Sequence, residues 1–252
     1  MQPAQKRAVM VGAQTPLPRW HRAACIALFV VLVLLVVQCA RLGVAGLMVQ
    51  TAQAEVDRWT ATSPRPGMPE ITRLANQFSN STQIAPDNPW ALELLGTVDL
   101  ARMRASRIPR EALNAAKDAR SHFRQALAQR PTSPFLWANL ALAKLYLNEI
   151  DAEFFAALRH ADELGPWEQT VQQTTLFAGL AVWQELDSEL RQTMVRTIER
   201  GGSRIADEIF KIVKSYGRFD LVCAIKKYEV IAGPKCKPTE APVKPDQRLK
   251  RR

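Results

Sequence analysis

Residues 23–40 read AACIALFVVLVLLVVQCA and hold no charge. Their length is close to the roughly 20 residues a helix needs to cross a bilayer. Arg41 can snorkel, and LGVAGLMV over 42–49 extends the apolar run, so 23–49 is expected to be a single transmembrane helix. Helix should continue through 50–59, until SPRPGMP (63–69) breaks it with three prolines and a glycine, making 50–69 a linker. Pro69 suits a first helical turn, with Ile71, Leu74, Ala75 and Phe78 on one face. SPFLWANLALAKLYL (133–147) is also apolar, but it is too short to span and holds Lys144, so it predicts a buried helix. Further helices are predicted over Trp167–Trp183, Ser188–Arg200 and Ser203–Tyr216, with stops at Gly201-Gly202 and Gly217. The stretch LVCAI (221–225) is short and reads as helical, and the fold class is all-α.

From residue 84 the pattern repeats. At an offset of 45, APDNPWALELLG (85–96) aligns with RPTSPFLWANLA (130–141), so that Pro86, Pro89, Trp90, Leu95 and Gly96 recur as Pro131, Pro134, Phe135, Leu140 and Ala141. Second helices follow at 119–131 and 153–166, each ending in proline, and an insertion, RASRIPR, interrupts the first copy. The spacing resembles the tetratricopeptide pattern, with Trp137, Leu140, Ala141, Ala161 and Pro166 in its places. Small residues at Gly96 and Ala141 let antiparallel helices approach closely. The expected domain is therefore a TPR-like stack of helical hairpins, an α-solenoid, over 70–232. In that geometry the first helix of each pair lines a concave face, placing Trp90, Glu93, Thr97, Phe135, Asn139, Leu142 and Tyr146 near a mostly uncharged groove suited to a partner helix or peptide.

Charge refines the picture. Of the net +10, half comes from residues 1–41, with Lys6, Arg7, Arg19, Arg22, Arg41 and no acid; the other half comes from residues 233–252, a Pro/Lys/Arg tail expected to be disordered. The middle is balanced, which argues against a nucleic-acid groove and leaves inner-membrane lipid as the partner of the ends. The basic side keeps 1–22 in the cytoplasm. In a Gram-negative host the bulk of the chain is then periplasmic. A cleaved signal peptide is the alternative, but Ala52-Gln53-Ala54 lies too far beyond the apolar run.

Candidate chemistry is sparse. His21, His122 and His160 have no nearby ligand cluster, and the chain has no CxxC, HExxH, G-x-S-x-G or glycine-rich phosphate loop. No catalytic, metal or cofactor site is expected, and the protein is read as not an enzyme. Cys25 and Cys39 lie in the membrane segment, while Cys223 and Cys236 are translocated and favour a disulfide in an oxidising compartment. The tryptophans Trp90, Trp137, Trp167 and Trp183 could stack on sugars, but their area is best buried as core. Direct glycan binding therefore has no separate support. The run Glu149, Asp151, Glu153 reads as a solvated turn.

The block WANLALAKLYLNEIDAEFFAALRHADELGPWEQTVQ (137–172) resembles the VpsP-type polysaccharide biosynthesis proteins of bacteria, through WANLAL, the Asp151–Phe155 segment and LGPWE. That resemblance implies a single-pass membrane protein with a degenerate repeat domain, accessory to capsule or biofilm polysaccharide machinery. The expected function is a scaffold holding protein components of exopolysaccharide synthesis or export. The alternative is a general periplasmic TPR-type chaperone or assembly adaptor at the inner membrane.

Overall fold

The computed structural model describes residues 19–61, 66–84, 88–202, 204–223, 225 and 228. Among them every regular element is helical. In chain order these are α1 (Arg19–Ala61), α2 (Met68–Ile84), α3 (Pro89–Ala105), α4 (Pro109–Gln129), α5 (Pro134–Tyr146), α6 (Ala152–Leu164), α7 (Gln169–Ala181), α8 (Ser188–Gly201), α9 (Ala206–Ser215) and α10 (Asp220–Cys223), with one 3-10 turn at Trp183–Glu185.

Helix α1 contains one stretch, Ala23–Val44, long and apolar enough to cross a membrane; its mean hydropathy is 2.9 and none of it is buried. Val49 and Val56 pack into a core with Ile71, Leu74 and Phe78 of α2 and Ala91, Leu95 and Val98 of α3. Core packing therefore begins at Val49, the last residue of the expected membrane segment, and helix runs through 50–59 as expected and on to Ala61. Arg41 does not simply snorkel: its Nη2 donates to the Ile84 carbonyl at 2.9 Å, capping the C-terminal end of α2. With Arg73 paired to Glu55, this sets α2 antiparallel to α1.

The remaining helices fold as hairpins. Helix α3 packs on α4, α5 on α6 and α7 on α8, while α4 also meets α5, α5 meets α7, and α7 meets α9. In the first hairpin Glu93–Arg130, Asp99–His122 and Arg102–Asp118 pair in antiparallel order. Gly96 is the close approach: a methyl there would lie 2.6 Å from Cε1 of the fully buried Phe123. Side-chain caps set the starts. Asn88 accepts from the Trp90 and Ala91 amides, Ser133 from Leu136, Asp151 from Phe154 and Asp187 from Leu190. Prolines at the first turns of α3, α4 and α5 cost no hydrogen bond. Two stops use a left-handed residue, Asn148 (φ 56°) and Gly217 (φ 67°). After Asn148, the Glu149 amide donates to the Lys144 carbonyl at 2.9 Å, and after Gly217 the Arg218 amide donates to Val213 at 3.1 Å.

One continuous core, with Phe123, Leu140, Phe154, Leu158, Leu176, Leu190, Met194, Ile198, Ile209 and Val213, joins α3 to α10. Each such side chain contributes roughly 1.5–3 kcal/mol on burial. Buried Tyr228 closes it, donating to the Ile198 carbonyl at 2.7 Å. Helix α7 starts later than expected, at Gln169, because Glu168 holds the N-cap position and Trp167 stays outside the helix.

The acidic run is a partly solvated turn, as expected, but it also carries an ion-pair network. Lys144, entirely buried, donates to Asp151 Oδ2 at 2.8 Å and Glu153 Oε2 at 2.7 Å, with Glu149 at 3.6 Å. Arg120 and Arg124 of α4 bind Glu149 and Glu153 from the other side. This network fastens the α5–α6 turn to the first hairpin. Burial pulls the Lys144 ammonium down, but its carboxylate hydrogen bonds and their field outweigh that and leave its pKa raised. The Lys144 hydrogen bond holds Asp151 below the usual carboxylate range, and Arg124 with Lys144 does the same for Glu153.

The cysteine expectation is met only in part by described residues. Cys223 is disulfide-bonded and Cys25 and Cys39 are free thiols, while Cys236 lies outside the described residues. So do residues 1–18 and the tail 233–252.

Candidate partner-binding groove

The helix order puts α3, α5, α7 and α9 side by side, because each hairpin returns the chain to the same end before the next begins. Between them lies an open hollow of about 300 Å³, lined by Arg104 of α3, Leu142 and Tyr146 of α5, Gln173, Thr174 and Phe177 of α7, and Ile212 of α9. Leu142, Phe177 and Ile212 provide an apolar floor. Tyr146 turns its hydroxyl toward Arg104, whose Nε donates to it at 3.4 Å. Phe177 meets the Tyr216 ring edge-on at 5.6 Å between centroids. Burial, with a smaller contribution from Tyr146, pushes the Tyr216 hydroxyl up to about 12, so it stays protonated at neutral pH. Arg104 meets no acidic side chain among the described residues, which leaves one cation at the rim of an otherwise uncharged groove.

The seven residues expected along this face separate into three groups. Leu142 and Tyr146 line the groove. Glu93 and Thr97 are occupied by internal bonds: Arg130 Nη1 donates to Glu93 at 2.8 Å, and Thr97 Oγ1 donates to the Glu93 carbonyl at 2.9 Å. Burial raises the Glu93 carboxyl, against the Arg130 field. Trp90 and Phe135 sit at the N-terminal ends of α3 and α5, away from the hollow, and Asn139 is half-buried on α5.

Arg104, Gln173, Thr174, Phe177 and Ile212 escape the sequence pattern. The repeat signature extends through two copies only, whereas the groove needs the first helices of four. The signal present is modest: Gln173, Thr174 and Phe177 share a face by helical spacing. The tryptophans meet the core expectation only in part, since Trp137 and Trp183 pack against the core. Trp137 packs against the core, with Nε1 donating to the Pro131 carbonyl at 2.7 Å, and Trp183 lies under Arg218 at 4.2 Å. Trp90 and Trp167 are exposed, not core.

Among the described residues no group of three or more His, Cys, Asp or Glu side chains is placed to hold a metal ion. Comparison with protein-family models, with curated proteins and with solved structures finds no match.

Proposed function

We propose that this chain is a membrane-anchored adaptor of an exopolysaccharide synthesis or export system, holding a protein partner in the groove of a TPR-like helical stack without catalysing a reaction. In this reading Ala23–Val44 crosses the inner membrane with its basic N-terminal side in the cytoplasm, and the stack lies in the periplasm. One observation carries the binding role: the hollow from Arg104 to Ile212 joins four successive first helices into one apolar surface with one cation at its rim that has no acidic partner among the described residues. Such a surface suits an amphipathic helix or extended segment carrying an acidic residue opposite Arg104. The glycan assignment rests on the resemblance carried by residues 137–172.

The test is genetic and biochemical. A deletion strain should lose surface polysaccharide, the intact chain should restore it, and Phe177→Glu should not, although its membrane level stays normal. Crosslinked capture should return glycan-machinery proteins with the intact chain and lose them with Phe177→Glu. Normal polysaccharide output in the deletion strain contradicts the glycan role. Capture of varied secreted polypeptides would instead fit the chaperone alternative.

A further inference from the structure

We propose that the end of the helical stack nearest the apolar span is itself seated in the membrane interface, through Trp90, Phe135, Leu164 and Trp167. The proposal rests on the reading of Ala23–Val44 as a spanning helix and goes beyond the partner groove.

The level of the bilayer surface follows from α1. Arg41 donates to the Ile84 carbonyl, so the end of α2 lies beside the end of the span. The start of α3 is equally close: Asn88 and Trp90 share a hollow of about 310 Å³ with Gly46, Val49, Gln50 and Gln53 of α1. From there contacts pass along one end of the stack. The Arg130 guanidinium lies 3.6 Å from the Trp90 ring centroid. The chain then turns into α5, where Pro134 abuts Gly165 so closely that a methyl on that glycine would sit 2.6 Å from the proline ring. Phe135 thus neighbours the α6–α7 turn, which carries Leu164 and Trp167.

These four side chains are exposed out of proportion to their size: Trp90 52%, Phe135 36%, Leu164 41% and Trp167 60%. Large apolar groups gathered at one end need a covering phase. Tryptophan is the side chain enriched where hydrocarbon meets water. The opposite end also exposes apolar groups, Ile108 (53%) and Leu113 (45%), and both ends carry ion pairs, but the far-end tryptophan, Trp183, lies under Arg218 while Trp90 and Trp167 of the near end are more than half exposed. Continuity with the span and the choice of aromatics point to lipid as the covering phase.

The full chain should be reconstituted in vesicles of phosphatidylethanolamine and phosphatidylglycerol, with brominated phosphatidylcholine as the quencher. Three variants each keep one of the six tryptophans, namely Trp20, Trp167 or Trp183, with the others changed to phenylalanine. Single-Trp20 reports insertion of the span, and single-Trp183 is the water-side control. The expected result is quenching of Trp20 and loss of about half of the Trp167 emission, as for an interfacial ring, with Trp183 unchanged. Quenched Trp20 with unquenched Trp167 overturns the proposal and leaves the span intact. If Trp20 is also unquenched, the spanning reading fails and the proposal with it. Equal quenching of all three overturns the one-ended seating. Should the multiple variants misfold, Trp167→Phe in the otherwise intact chain decides the same question: it should lower the quenched share of total emission, and no change refutes the placement.

Discussion

The first and second hairpins put a charged side chain at the same repeat position and give it opposite signs. Asp99 of α3 and Lys144 of α5 lie at the offset of 45 that relates Gly96 to Ala141, and both are buried. Asp99 is held by Arg102 at 3.0 Å and by His122 Nδ1 at 2.8 Å, partners within its own hairpin. Lys144 is held by acids on the following turn, which are themselves gripped by arginines of α4. The first site is therefore closed on itself, and the second joins two hairpins. Their electrostatics differ accordingly. Burial leaves the Asp99 carboxyl raised in spite of His122 and Arg102, whereas the partners of Lys144 sit below their ordinary values. A buried ion pair is weak evidence for stability in itself, but breaking one is costly because the survivor is left without its partner.

Lys144→Ala should show the largest effect. It leaves Asp151 and Glu153 facing Arg124 alone and opens a cavity in the core. A loss of about 3 kcal/mol is expected, reduced from the upper range because the two carboxylates reach solvent. Chemical denaturation should record it as a lower midpoint. Next comes the crossing point. Gly96→Ala should cost about 2 kcal/mol, since the buried Phe123 ring has no space to retreat. The reciprocal Ala141→Gly should cost only about 1 kcal/mol, through helix propensity. Equal penalties at the two sites would break the asymmetry between the hairpins. Asp99→Asn should change stability least, by under about 1 kcal/mol, because the carboxylate it replaces is already disfavoured by burial.

Acid sharpens the same contrast. Asp151 and Glu153 have folded values below their ordinary 3.8 and 4.5, so their contribution is present above those values and is lost as pH falls through the folded ones. Asp99 has the opposite sign: its folded value is raised, so it favours folding below 3.8 and loses that contribution as pH rises through the folded value. Hydrogen exchange below about pH 4 should therefore open the α5–α6 turn while α3–α4 stays protected. Simultaneous loss of both would show that the two sites are not energetically distinct.

Much of this architecture is written locally. The uncharged run at 23–40 and the stop at Gly217 act through near neighbours, so sequence spacing reveals them, and the repeat offset marks the small residue at Gly96 although its partner Phe123 lies on the next helix. The buried charges are harder to read. Lys144 is obvious as an interruption, but Glu149 and Glu153 beside it are themselves held by Arg120 and Arg124 of α4, which reach those carboxylates only after folding. Arg41 likewise needs α2 folded back before its carbonyl partner exists. The groove is half legible for a related reason. Leu142 and Tyr146 belong to a repeat with clear proline and aromatic markers, whereas α7 and α9 lack those markers and reveal their role only by lying beside α5.

The central claim is that this groove holds a protein. A photoreactive phenylalanine placed at Thr174, on the groove, or at Ser121, on the exposed side of α4, tests it in intact cells. Irradiation should join the Thr174 position to a discrete partner, one belonging to polysaccharide synthesis or export machinery, and leave the Ser121 position uncoupled. Adducts at Ser121 alone, or none at Thr174 in cells making polysaccharide, would contradict it.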